Sequence, residues 1–155
     1  MSSNKTTSLE LDSALETGRS CACNNLRRAA RAVTQLYDDT LRPTGLRSTQ
    51  FTLLTALRIQ GPISVNRLAE QLVMDRTTLT RNLKPLEKKG LVRIEVGDDR
   101  RTREVSLTES GHQALAAAYP LWQRAQARVA GGLGDERLQA LLGELGAVVE
   151  ETIRN

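Results

Sequence analysis

Apolar residues recur every three or four positions through most of this chain and alternate over one short stretch only, which reads as several helices and a single hairpin. From Cys23 to Leu41 the residues Leu26, Ala29, Ala30, Val33, Leu36, Tyr37 and Leu41 share a helical face, and Pro43 with Gly45 ends it. Ser48 is placed to cap a second helix carrying Phe51, Leu53, Leu54 and Leu57, stopped by Gly61-Pro62. Ser64 caps a third, short one with Leu68, Ala69 and Leu72 inward. Asp75 caps a fourth, from Arg76 to Lys89, closed by Gly90. Only Val73-Met74-Asp75 joins the last two, the short linkage of a helix-turn-helix.

The period then switches. Val92, Ile94 and Val96 alternate with Arg93 and Glu95 as a half-buried strand, Gly97-Asp98-Asp99 is turn chemistry, and Val105 with Leu107 marks a returning strand. Thr108-Glu109 opens a long helix with Leu115, Ala118, Leu121, Trp122, Ala125 and Val129 on one face. Pro120 predicts a bend there, since its missing N–H frees the carbonyl of Ala116. Gly131, Gly132 and Gly134 are expected to break the chain before a last helix from about Glu136 to Ile153. Residues 1–20, Ser/Thr-rich at their start, read as a mobile tail or a short, poorly fixed helix. The expected class is mainly α with a small β-hairpin (α+β).

Composition narrows the function. The chain has 155 residues, enough for one domain or a small domain with added helices. Aromatics are 3%, which argues against an all-β sandwich. The longest apolar stretches, such as Ala114–Tyr119, are too short to span a membrane, and the N-terminus lacks a signal-peptide core. Two cysteines cannot staple a secreted fold, so the cytoplasm is the expected compartment. A single histidine, His112, supports neither a catalytic triad nor a zinc site, and no phosphate-binding or dinucleotide fingerprint is present. No enzyme, metal or cofactor is expected. The net charge of +4 is concentrated in one segment: Arg76 to Arg103 holds nine Lys/Arg against four acids, so the remainder of the chain is slightly negative. A polyanion is the natural partner.

On the fourth helix Leu79, Leu83 and Leu86 follow core spacing, while Thr77, Arg81, Lys84 and Lys88 follow the same spacing roughly opposite. A helix of this kind fits the major groove of double-stranded DNA, where Arg can donate two hydrogen bonds to guanine. Arg76, Thr77 and Thr78 stand in its first turn, positioned for phosphate or a thymine methyl at the positive end of the helix dipole. Pro85 deprives the Arg81 carbonyl of its partner, which predicts a bend and turns Lys84 and Lys88 towards the phosphate backbone. The hairpin tip carries Arg100, Arg101 and Arg103, and a narrow minor groove attracts arginine. Asp99 would repel phosphate, so its expected role is to orient a neighbouring arginine.

The runs Leu68-Ala69-Glu70-Gln71-Leu72, Thr77-Thr78-Leu79-Thr80-Arg81, Leu86-Glu87-Lys88-Lys89-Gly90-Leu91-Val92, Asp99-Arg100-Arg101 and Val105-Ser106-Leu107-Thr108-Glu109-Ser110-Gly111 together resemble the MarR family of bacterial transcription regulators. The resemblance extends from about Leu26 to the C-terminus. It implies a winged helix-turn-helix in each protomer of an obligate dimer, with long N- and C-terminal dimerisation helices. It also implies that Thr77, Thr78 and Arg81 meet bases or backbone and that Arg101, braced by Asp99, enters the minor groove. Pro85 departs from the family's usual residues at that place. The expected division is a tail (1–20), a helical dimerisation region (21–47 and 109–155) and a DNA-binding domain (48–108).

Surplus apolar stripes on the long and last helices independently call for a partner surface, and a homodimer would bring two reading helices about 34–36 Å apart for a pseudo-palindrome. The expected function is a dimeric repressor released by a small-molecule effector or by cysteine modification. Cys21 and Cys23 open the first helix, with Arg27 one turn beyond Cys23, a setting in which thiols become reactive. The resemblance to the organic-peroxide-sensing branch puts Cys23 at the reactive cysteine and Tyr37 at one of its tyrosines, while Arg27 and Ser48 stand where the others would be. Three readings stay open: incidental thiols, peroxide sensing, and capture of a thiophilic metal or metalloid by the pair. If the thiols are bystanders, the family-typical effector is a phenolic or aromatic acid near Arg31, Tyr37 and Trp122. The competing functional class is a winged-helix module that binds protein and not specific DNA.

Overall fold

The computed structural model describes residues 3–154. Among the described residues, seven α-helices and three short strands follow in the order α1 (Ser3–Ser20), α2 (Ala22–Leu41), α3 (Ser48–Gln60), β1 (Ile63–Ser64), α4 (Val65–Gln71), α5 (Arg76–Lys88), β2 (Val92–Val96), β3 (Arg103–Leu107), α6 (Glu109–Leu133) and α7 (Asp135–Ile153). No helix among the described residues is long and apolar enough to cross a membrane. The chain divides into two compact units whose boundary falls inside α2, between Leu36 and Tyr37.

In the first unit the segment read as a mobile tail or a short helix is helical over its described residues. Residues 1 and 2 lie outside the described residues, but Ser3–Ser20 form the 18-residue α1. Good helix formers (Leu9, Glu10, Leu11, Ala14, Leu15, Glu16) and the absence of proline account for it. Cys21 then interrupts the helix, and residues 22–35 of α2 are exposed throughout.

The second unit is built on one apolar cluster. Phe51, Leu53, Leu54 and Leu57 of α3, Leu68 and Ala69 of α4, Leu79, Leu83 and Leu86 of α5, Val92 of β2, Val105 of β3 and Ala118 of α6 are all buried in it. The expected inward faces of α3, α4 and α5 are thus the observed ones. The sheet order is β1-β3-β2, both pairings antiparallel, with Ile63 opposite Val105 and Val92 opposite Leu107. β1 was not expected; two residues are too few to show a period, and only pairing with β3 makes them a strand.

Helix boundaries show which local signals prevailed. Ser64 and Asp75 cap α4 and α5 as expected, accepting from the amides of Arg67 (3.3 Å) and Thr78 (2.8 Å). Ser48 does not cap α3: Arg47 holds the cap position, and the Ser48 amide and hydroxyl both donate to Asp38 Oδ1 at 2.7 Å. A carboxylate from α2 thus satisfies the first turn of α3 and ties the two together. Gly90, at φ 70°, ends α5; its amide donates to Glu87 O and that of Leu91 to Leu86 O, closing the helix with a left-handed residue. Gly131 and Gly132 do not break α6, which runs to Leu133; the break waits for Gly134, where φ is 87°. Their helical hydrogen bonds outweigh a propensity cost of about 1 kcal/mol each. α5 and α6 likewise continue through Pro85 and Pro120.

One backbone position is strained. Val73, in the turn between α4 and α5, sits at φ 52° and is the only non-glycine residue in the left-handed region among those described. The Met74 amide reaches back to Ala69 O (2.9 Å) and that of Val73 to Glu70 O (3.1 Å), so the turn has the geometry that ordinarily selects Gly or Asn. A β-branched side chain there costs about 1–3 kcal/mol. Val73→Asn, an exposed change, is therefore expected to raise unfolding free energy by about 1 kcal/mol, read as a higher urea midpoint at unchanged slope; an unchanged or lower midpoint contradicts the strain.

Candidate nucleic-acid interface

The orientation of α5 follows from one constraint. Leu79, Leu83 and Leu86 are fully buried, and by helical periodicity the opposite side of α5 must be outermost. Thr77, Arg81, Lys84 and Lys88 occupy it, all exposed. Ion pairs among the described residues lie elsewhere: Arg42 with Asp39, Arg93 with Glu95, and Arg154 with Glu150 and Glu151. Arg76, Arg81, Lys84, Lys88, Arg100, Arg101 and Arg103 therefore keep their charge unpaired there. Lys89 does not join them; its Nζ donates to Gly45 O at 2.8 Å and pins the end of α5 to the turn before α3.

The first turn of α5 is tightly organised. Asp75 accepts from the Thr78 amide with Oδ1 and from the Thr78 hydroxyl with Oδ2 (2.6 Å). These bonds, the hydroxyl's foremost, hold the Asp75 carboxyl below its ordinary range. They also commit the Thr78 proton to the cap. Of the two expected threonines, Thr77 alone is left with a free hydroxyl donor in the structure.

At the hairpin tip, Asp99 acts on the backbone. Its Oδ1 accepts from the Arg101 amide (2.9 Å), and its carbonyl accepts from the Thr102 amide and hydroxyl, each at 2.8 Å. Asp99 therefore shapes the turn that presents Arg101 and leaves the guanidinium free. The base of the hairpin meets α5: Arg76, Arg101, Thr102 and Arg103 line one small crevice with Ser64, Val65 and Asn66. Two cationic features far apart in sequence are thereby brought to one side of the unit. Asn66 was missed, and no local pattern marks it; only β1 pairing with β3 carries it there.

The sensing candidates fall in different places. In the first unit Cys21 and Cys23 are free thiols, Cys23 exposed. Cys21 Sγ accepts from the Asn24 amide at 3.5 Å and so serves as the cap of α2. Arg27 and Arg31 are exposed on that helix. In the second unit the Tyr37 hydroxyl donates to Gln126 of α6, and burial raises its pKa. Trp122 stacks on Phe51 (centroids 6.1 Å apart) and on Tyr119 (5.5 Å). These rings wall an apolar groove of about 450 Å³ between α3 and α6, with Thr55, Ile59 and Leu115. A second hollow shares Leu115 and Tyr119 with it and adds Arg58 and His112. No group of three or more His, Cys, Asp and Glu that could hold a metal occurs among the described residues.

The sequence pattern of the MarR family matches residues 46–102, from the turn before α3 to the hairpin tip. YwaE of Bacillus subtilis strain 168, an uncharacterized HTH-type transcriptional regulator, is 30% identical over 132 residues, 84% of this chain and 77% of its own length. This chain belongs to the MarR family. Among solved structures, the transcriptional regulator MosR of M. tuberculosis, in complex with DNA, is 41% identical at a TM-score of 0.75, covering 86% of this chain and 98% of that one. The repressor CouR, bound to a 23-mer DNA duplex, is 28% identical at a TM-score of 0.76, covering 83% and 92%. The MarR-family chain described here is a winged helix-turn-helix protein and a DNA-binding transcription regulator.

The Asp75 cap makes a pH prediction. With the folded carboxyl titrating below the unfolded one, the cap's contribution is complete at neutral pH and is lost as pH falls through the ordinary carboxylate range to the folded value. Asp75→Asn keeps an acceptor but cannot titrate. Its urea midpoint is expected to fall less than the parent's between about pH 7 and about pH 3. Parallel curves contradict the assignment.

Proposed function

We propose that this regulator binds a pseudo-palindromic operator as a homodimer and represses transcription until an effector releases it. The observation that carries the reading is the split of α5 into a buried leucine face and an exposed, unpaired cationic face. Residues 48–108 form the DNA-binding domain, and residues 21–47 with 109–155 form the dimerisation region. Arg81 reads a guanine in the major groove, Thr77 and Arg76 meet backbone at the helix start, and Lys84 and Lys88 follow phosphates. Arg101 enters the minor groove from a turn held by Asp99, with Arg100 and Arg103 on the adjacent backbone. Thr78 acts through the cap. The DNA complexes of MosR and CouR support this use of the fold. The dimer is supported by uncovered apolar residues: Leu141, Leu142, Val148, Val149 and Ile153 on α7, and Leu26 and Val33 on α2 are exposed in the single chain. The charge clustered between Arg76 and Arg103 favours DNA over a protein partner, and the family is one of regulators, not enzymes.

For the effector, the aromatic groove is the better-supported reading. The rings of Phe51, Tyr119 and Trp122 suit an apolar ring, and Arg58 in the adjoining hollow suits its carboxylate. Trp122 belongs to this reading, while the Tyr37 hydroxyl is engaged with Gln126. The peroxide reading asks for hydroxyls around Cys23, and those of Tyr37 and Ser48 are donated to Gln126 and Asp38.

These roles separate in a mobility-shift titration on duplexes selected from a random pool. Arg81→Ala is expected to lose preference between selected and unselected duplex. Arg101→Ala is expected to weaken binding to both, with the salt slope shallower by about one. Wild-type behaviour of both variants overturns the assignment. With benzoate as probe, Arg58→Ala is expected to raise the concentration that releases DNA about ten-fold. Release by hydroperoxide or arsenite that disappears in Cys23→Ser would instead assign sensing to the thiol.

A further inference from the structure

The C-terminal end of α5 and the N-terminal end of α6 meet in one compact joint. The Thr108 hydroxyl donates to Gly90 O at 2.6 Å and accepts from the Gly111 amide at 3.0 Å, while the Thr108 amide donates to Leu91 O at 3.1 Å. Gly90 and Leu91 are themselves the residues that close α5, bonded back to Glu87 and Leu86. Gly111 is buried, and a Cβ on it would lie 2.0 Å from Leu91 O, far inside any contact a real side chain makes. The cap of α6 is thus built into the cap of α5, with one hydroxyl bridging both helices and a missing side chain setting their separation.

We propose that Thr108 and Gly111 are positioning residues that set the angle of the reading helix against α6, and so the half-site spacing the dimer accepts. The proposal rests on the dimeric reading above. α5 has 13 residues and extends about 20 Å from this joint to Arg76. A tilt of about 10° at the joint moves that far end about 3.5 Å, close to the rise of one base pair. Two protomers related by a two-fold double the change in spacing. The groove under Leu115, Tyr119 and Trp122 lies one to three turns farther along the same α6, so anything that shifts this helix acts on α5 through the joint.

The test is selection from a duplex pool with a long random segment, using full-length protein, with the half-site sequence and the half-site spacing read separately. Wild type is expected to return paired half-sites at one spacing. Gly111→Ala must push Leu91 O away by about 1 Å and is expected to return the same half-site at a shifted or broadened spacing. Thr108→Val, which removes the bridging hydroxyl at nearly constant volume, is expected to broaden it, and Thr108→Ser to restore the wild-type distribution. Loss of stability alone lowers the active fraction and leaves the spacing of bound sites untouched. Should Gly111→Ala fail to fold, Thr108→Val and Thr108→Ser decide the matter. Unchanged, equally sharp spacing in Thr108→Val overturns the proposal. Wild type returning single half-sites overturns the dimeric reading, and this proposal with it, while Arg81-dependent recognition of the half-site would still stand.

Discussion

The candidate DNA-binding surface depends on the burial of three leucines on one side of α5. Leu79, Leu83 and Leu86 have no exposed surface, and each contributes about 1.5–3 kcal/mol by leaving water. Rotating α5 to bury Arg81 or Lys84 instead would give up that gain and leave desolvated charges unpaired. The rotation of the helix is therefore settled by the core, and the cations follow outward without needing partners of their own. The Asp75–Thr78 cap fixes where the helix starts, and the Gly90 turn with the Lys89 to Gly45 bond fixes where it ends.

The three-stranded sheet does for the wing what the leucines do for α5. Val105 of β3 is fully buried and pairs across to Ile63 on one side and Ile94 on the other, so the strand pair cannot turn over without exposing it. The Asp99 turn projects beyond that anchored base. Arg101 and Arg103 consequently share a crevice with Arg76, across about 25 residues of chain. Mutual repulsion of these guanidiniums is tolerated because the apolar cluster beneath them holds the backbone, and a polyanion would relieve it.

Much of this was legible in the chain itself, because the determining signals are local. Helical periodicity located α3, α4, α5 and their inward faces; the change of period located the hairpin; Ser64, Asp75 and Gly90 marked their ends. The misreadings have tertiary causes. Ser48 looks like a cap, but Asp38 claims both its amide and hydroxyl. Gly131 and Gly132 look like breakers, yet both keep helical backbone, and α6 ends only at Gly134, where φ turns positive. Val73 occupies a left-handed turn that its own type disfavours, and β1 exists only by pairing. In the candidate interface, the exposed cations are legible from charge and spacing, whereas the withdrawal of the Thr78 proton and the placement of Asn66 needed the fold. The Tyr37 to Gln126 bond and the Arg58–His112 hollow join α6 to α2 and α3, and no spacing rule reaches that far.

Protection of guanine N7 from dimethyl sulfate, read along a bound duplex, tests the central claim most directly, because N7 faces only the major groove. The account predicts two protected patches on one face of the duplex, centred about one helical turn apart, both lost when Arg81 is replaced by alanine. Binding that leaves every N7 reactive, or that protects them without regard to Arg81, would contradict it.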